Sequence, residues 1–322
     1  MRRLIRRLQS RLRHRQDVRA LEQREDFLKA LYHYGLVCPS DELIEHIRQQ
    51  ARISRRELPA ILGQLVLEGC VATAPLRLTP QGKERALRLV RAHRIYEKYL
   101  AEHSGYSPEE WHQRAEEMEH KLSPEEQERI AKLLRNPLWD PHGDPIPTAG
   151  NLIPRPNTEA SAEARVGEWY RVLHVEDDDA DCFRLLHRIG LAQGSVIQIR
   201  SAQHHELNIT LEGEDCTLPL AALQSLNLTK LLPSSPEVRK AQQTERLTRL
   251  RLGEQATIVG LSPACLGAMR RRLMDLGFVR GSDISIDLAS PMGNPTAYVV
   301  RNTAIALRAD QARHILIRRG EA

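Results

Sequence analysis

Aromatic residues are scarce: only 13 of the 322 are Phe, Trp or Tyr. That is too few for the stacking platforms that hold single-stranded nucleic acid. No uncharged apolar run approaches the roughly 18 residues a membrane-spanning helix needs. The N-terminus MRRLIRRLQSRLRHR also lacks the apolar core of a secretion signal, so a cytoplasmic protein is expected. The five cysteines, Cys38, Cys70, Cys182, Cys216 and Cys265, are odd in number and widely spaced with no C-x-x-C pair. A disulfide framework and a thiolate zinc finger are thereby excluded, and each thiol is expected to pack as a small apolar residue. Also missing are a phosphate-cradling glycine loop, an H-E-x-x-H pair and a nucleophile elbow. No enzyme and no small-molecule substrate is expected.

What is present is a soluble multidomain composition, 41% hydrophobic and 28% charged. Lys+Arg number 47 against 42 Asp+Glu, a net charge of +5. Residues 1–24 alone carry nine Arg against Asp17 and Glu22, or +7, which leaves −2 for the rest. The basicity reads as a property of the tail. Leu4, Leu8 and Leu12 recur at helical spacing among those arginines. A DNA-backbone arm, a membrane-surface helix and a frayed tail all remain open.

From Glu25 the pattern is three short helices and a strand-turn-strand. Leu28, Leu31 and Tyr32 share a face of the first helix, and Ser40 caps a second that turns Leu43, Ile44 and Ile47 inward. Ser54 is expected to cap a third helix reaching Gly69, with Glu57 completing a capping box. The segment CVATAPLRLTP then reads as a wing. Three helices and a wing make a winged helix-turn-helix, whose third helix enters the major groove of DNA. Ser54, Arg55, Arg56 and Gln64 are its candidate contacts to bases or phosphates. Pro59 inside the third helix and the brevity of the wing count against the reading.

Three charged helical segments follow, over Lys83–His103, Pro108–Leu122 and Pro124–Leu134. Helices of this length with single turns between them pack on one another or on a second subunit. A Pro- and Asn-rich stretch from Asn136 then marks a boundary, and NTEASAEA a linker. The C-terminal half repeats itself: Gly190 and Gly194 recur as Gly277 and Gly281, and Gly167 as Gly253. Each copy reads strand, short helix, G-x-x-x-G-S turn and alternating strands, a small β-barrel.

The chemistry concentrates in WHQRAEEMEH, residues 111–120, where Glu116, Glu119 and His120 stand at i, i+3 and i+4 and His112 one turn earlier. His93 and Glu97 form a second i,i+4 pair upstream. Carboxylate and imidazole donors without thiolates suit Fe²⁺ or Mn²⁺. Spacing alone reads more readily as a solvated charged helix, since surface helices are rich in Glu and His.

The order of these motifs carries more. A winged helix, then RAHRIYEKYL, then WHQRAEEMEHKLS, then DPHGDPIPT, then a small β-barrel resembles the iron- and manganese-dependent repressors of the diphtheria-toxin-repressor (DtxR) type. The resemblance covers roughly residues 25–230, and both barrel copies look like the SH3-like FeoA domain of ferrous iron transport. It implies an α+β multidomain architecture: a basic arm (1–24), a winged domain (25–82), a helical metal-binding and dimerisation domain (83–150), a linker (151–165), a first FeoA-like barrel (166–232), a second linker (233–247) and a second barrel (248–320).

It also implies a primary metal site at Asp26, Glu116, Glu119 and His120, rich in carboxylates as in the manganese-sensing branch. That branch places a second carboxylate one turn after the first-helix ligand, where this chain has Lys29. An ancillary site falls at His93, Glu97 and His112, with Asp179 and Cys182 from the first barrel. The function implied is an Fe²⁺- or Mn²⁺-dependent repressor of metal uptake genes, binding a double-stranded operator as a homodimer. The alternative takes the tandem FeoA-like copies as the working part: a cytosolic accessory protein touching a ferrous iron transporter, its winged domain reduced to dimerisation.

Overall fold

The arginine-rich N-terminus is helical from its second residue. Helix α1 runs unbroken from Arg2 to Tyr34, so the arm and the first helix of the winged domain, expected as two pieces meeting at Glu25, are one element. No Gly or Pro occurs between positions 2 and 34 to interrupt it. The structure, a computed structural model, describes residues 2–34, 40–154, 164–177, 179–290 and 292–320, with side chains from Asp17 onward. Cys38 and most of the linker at 151–165 lie outside the described residues.

The chain divides into two units. The first takes in the residues up to Tyr96, Arg114–Leu138 and Ile146–Pro154. Here α1 packs on α2 (Asp41–Gln50) and α3 (Leu58–Leu67) around Phe27, Leu28, Leu31, Ile47, Ile53, Ile61 and Leu65. Ser40 Oγ accepts the Leu43 N–H, capping α2 as its sequence predicts. The turn before α3 is closed reciprocally: Ser54 Oγ accepts the Glu57 N–H and a Glu57 carboxylate oxygen accepts that of Ser54. Because α3 starts at Leu58 and not at Ser54, Pro59 falls in its first turn, where the missing N–H costs nothing. The objection from Pro59 thus disappears. Strands β1 (Val71–Thr73) and β2 (Leu76–Leu78) pair as the wing. Helices α4 (Pro80–His103), α5 (Pro108–Glu119) and α6 (Pro124–Leu133) follow, the last begun by a Ser123/Glu126 capping box.

The second unit holds Glu97–Gln113, Trp139–Pro145 and two barrels. In the first barrel β3 (Trp169–Val175), α7 (Ala180–Ile189), β4 (Val196–Gln203), β5 (Glu206–Leu211), β6 (Glu214–Pro219) and β7 (Leu226–Leu231) give an antiparallel sheet of order β6-β5-β4-β3-β7. Helix α8 (Pro236–Gln242) and strand β8 (Glu245–Arg246) come next, and the second barrel continues through β9 (Gln255–Leu261), α9 (Gly267–Asp275), β10 (Asp283–Ala289), β11 (Thr296–Val300), β12 (Thr303–Leu307), α10 (Ala309–Ala312) and β13 (Ile315–Arg319). Its order, β12-β11-β10-β9-β13-β8, repeats the first with one strand added. Gly190 and Gly277 follow corresponding helices with φ of +82° and +95°, a conformation that side chains disfavour, which is why the repeat shows first in its glycines.

The expected linker at 233–247 is ordered structure instead. Val238 on α8 is fully buried against Trp169 and Leu231, and β8 pairs with β13. Arg246, 3% exposed, joins the barrels: Nε donates to Glu212, Nη1 to Glu214 and Nη2 to the carbonyl of Ile189, at 2.7–2.9 Å. Among the described residues no helix is long and apolar enough to cross a membrane.

Candidate metal centres

The first cluster lies wholly in the first unit, where α1 meets the end of α5. One donor atom from each of Asp26, Glu119 and His120 falls within 4.8 Å of the others. His120 Nε2 is 3.0 Å from Asp26 Oδ1 and 3.7 Å from Glu119 Oε1. An ion about 2.1 Å from each donor spaces its donors roughly 3.0–3.5 Å apart, so this set fits a divalent cation with little movement. The other imidazole nitrogen, Nδ1, is 2.9 Å from Glu25 Oε2, which orients the ring and leaves Nε2 to face Asp26.

Electrostatics in this cluster are strong. Burial alone would raise the Glu119 carboxyl, but Lys29 and His93 outweigh it and hold the group down at about 2. Burial likewise opposes a charge on His120, yet the hydrogen bonds its ring donates to Asp26 and Glu25 carry the imidazole up to about 10. Glu116 stands apart from this set: its Oε2 pairs with Arg52 Nη2 at 3.1 Å and its side chain is 38% exposed. The i, i+3, i+4 spacing that groups Glu116 with Glu119 and His120 therefore brings only two of the three to the α1 carboxylates. Glu25 was missed, although it adjoins Asp26 on the same helix.

The second cluster lies wholly in the second unit. Glu97, on α4, and His112, on α5, meet at 3.3 Å, and His112 Nδ1 is also 3.3 Å from Asp177 Oδ2 just beyond β3. His142 completes the group, its Nε2 at 3.7 Å from Asp177 Oδ2 and 4.0 Å from Glu97 Oε1. His142 is 5% exposed, and Nε2 is buried without a hydrogen-bond partner. A buried imidazole nitrogen left unsatisfied between two carboxylates is suited to ligating a cation.

Local structure fixes His142. Asp140 Oδ1 accepts the backbone N–H of His142, Gly143 and Asp144, each at 2.9 Å. Gly143, at φ +106°, lets the loop approach β3 so closely that a Cβ would sit 2.2 Å from the Leu173 carbonyl oxygen. The ring lies between Trp111 and Phe183. Burial raises the Asp177 carboxyl, and His112 and His142 more than reverse it, so its pKa is lowered.

Two expected ligands are corrected here. Asp179 is consumed as the N-cap of α7, its Oδ1 accepting the N–H groups of Asp181 and Cys182, and Cys182 packs against the first barrel's apolar core. Asp177, two residues upstream, takes the place expected of Asp179. His93 Nδ1 also lies 2.5 Å from Glu119 Oε2. The signal for His142 in the sequence was its place in DPHGDPIPT, one of the motifs that carry the family resemblance.

In the winged domain Arg55 and Arg56 are exposed at the turn before α3, and Arg55 Nη2 lies 3.1 Å from Glu45. Gln64 is exposed on α3 and donates to Glu68, while Ser54 serves the turn itself.

Two family models match the chain: the iron dependent repressor, metal binding and dimerisation domain over residues 79–148, and the FeoA domain over 245–319. The chain belongs to the DtxR family of metal-dependent regulators, with a C-terminal FeoA domain. This DtxR-family chain is similar to the iron-dependent repressor IdeR of Mycobacterium leprae, 29% identical over 170 residues, 48% of this chain and 74% of that one. A solved manganese-dependent transcriptional repressor in complex with manganese superposes with a TM-score of 0.58 at 27% identity, covering 64% of this chain and 99% of that one. A probable metal transport system membrane protein of Chlamydia trachomatis is 44% identical over 70 residues, 22% of this chain and only 16% of that protein's length.

Proposed function

We propose that this protein is a Fe²⁺- or Mn²⁺-dependent, DNA-binding repressor of metal-ion uptake genes that acts as a homodimer. The observation that carries the reading is the convergence of Asp26, on the helix that opens the winged domain, with Glu119 and His120 at the end of α5, 94 residues away in sequence. A bound divalent ion would supply the positive charge that these carboxylates need in order to stay together. Asp26 and Glu25, on adjacent positions of α1, draw the helix towards α5 through His120. Phe27 and Leu28, next on the same helix, belong to the core that α1 shares with α3, so the position of α1 would fix that of the helix preceded by Arg55 and Arg56.

Arg55 and Arg56 would contact the DNA backbone and Gln64 base edges, while dimerisation presents two such helices to successive major grooves. Glu97, His112, His142 and Asp177 would hold an ancillary ion. The similarity to iron- and manganese-dependent repressors supports this reading over the accessory-protein alternative, and nothing in the described residues favours contact with a transporter.

The test is binding of the full chain to its upstream operator fragment, with and without Mn²⁺ or Fe²⁺. Metal should increase affinity, and Asp26→Ala and His120→Ala should abolish the increase. Metal-independent binding by wild type and both variants would sink the switch.

A further inference from the structure

A cation already stands beside the ligands of the first cluster. Lys29 lies one turn after Asp26 on α1, with its Nζ 2.7 Å from Glu119 Oε2 and 3.2 Å from His93 Nδ1. The side chains of Lys29, His93 and Glu119 are 18%, 6% and 2% exposed, so water screens these contacts little. Glu119 faces partners on two sides: Oε1 faces His120 at 3.7 Å on the side of Asp26, and Oε2 faces the ammonium and His93. A carboxylate oriented in this way can bridge two cationic positions, one on each oxygen. The chain supplies the occupant of the second.

We propose that Lys29 is the fixed second cation of this site, holding Glu119 Oε2 and His93 Nδ1 and so restricting the cluster to a single divalent ion. The inference rests on the proposed reading that Asp26, Glu119 and His120 bind the first. Its physical basis is competition by a tethered charge. The ammonium is delivered to Glu119 by the same helix that delivers Asp26, so a free ion could enter only by displacing a buried, paired group. Reversing that charge should convert the competitor into a donor: a carboxylate at position 29, with His93 Nδ1 and Glu119 Oε2, makes three ligands for a further ion.

The test counts Mn²⁺ bound to the full-length protein by the electron paramagnetic resonance of the free ion. Glu97→Gln/His112→Ala serves as background to remove the second cluster. One equivalent per chain is expected there, none after adding Asp26→Ala, and two, with a spin-coupled signal, after adding Lys29→Glu. Lys29→Gln, neutral and of similar reach, guards against a folding defect: without the neighbouring ammonium the single ion should bind about tenfold more tightly. One equivalent in Lys29→Glu, or unchanged or weaker affinity in Lys29→Gln, would overturn the role of Lys29 and leave the site reading intact. Binding indifferent to Asp26→Ala would overturn the site reading, and this inference with it.

Discussion

His120 does two things that pull in opposite directions. Paired with Asp26 and Glu25 it is held as a cation up to about pH 10, although burial opposes that charge. As a metal ligand it must be neutral at Nε2. Each ion bound should therefore release about one proton, with apparent affinity rising about tenfold per unit from roughly pH 6 to 9. Calorimetry of Mn²⁺ binding in buffers of different ionisation enthalpy measures this directly, and a pH-independent affinity would argue against His120 as a ligand. Asp177→Asn should remove one equivalent of bound metal without affecting the first cluster, whereas Asp179→Asn should leave the count unchanged.

The residue scale also shows where sequence reading reaches. Glu119 and His120 were legible because helical spacing and the family motif both point at them, and Asp26 through the resemblance alone. Glu25 and His142 were not, because each is recruited across tens of residues by packing, and charged residues near a ligand motif are too common to single out. Asp177 was displaced by two positions because the acidic run around it offers several carboxylates, and only the start of α7 decides which of them is needed as a cap.

At the scale of elements, Ser40 announces the start of α2 through its capping chemistry, whereas the Ser54/Glu57 pair closes the turn that precedes α3. The start of α3 moved four residues, with a functional consequence: Arg55 and Arg56 sit on a turn, ahead of the helix, facing solvent. Replacing either by Ala should weaken operator binding similarly across sequences and lower the salt slope by about 1. Binding measured from low to moderate salt tests this. Gln64→Ala should instead alter base preference.

The second barrel offers a pH prediction. His314, at the approach to β13, is held at about 4 by burial first and then by Arg313 and Arg246. Above its ordinary value of 6.5 it is neutral whether folded or unfolded. As pH falls from there towards 4, the unfolded chain takes up a proton that the folded barrel refuses, so stability is lost across that window, on the order of 2–3 kcal/mol. Denaturation midpoints at neutral and mildly acidic pH should diverge in wild type and converge in His314→Gln.

For the whole molecule, the barrel boundaries revise the charge map. Residues 245–320 hold twelve Arg, no Lys and six acidic residues, a net +6, while residues 25–244 sum to −7. The near-neutral body behind the basic tail is thus an acidic middle beside a second basic region. The two barrels are joined through Arg246, whose loss would leave Glu212 buried and unpaired. Arg246→Ala should cost about 3–5 kcal/mol and lower the melting temperature of the barrel pair, whereas exposed Arg318→Ala should change it little.

The unbroken α1 has a mechanical consequence. Asp26 lies 24 positions from Arg2 along one helix, and at 1.5 Å per residue that is a lever of about 36 Å. A tilt of about 10° at the ligand end would carry the far end through about 6 Å, comparable to the width of a DNA minor groove. Small adjustments in how Asp26 and Lys29 are held would be magnified at the arginine-rich end.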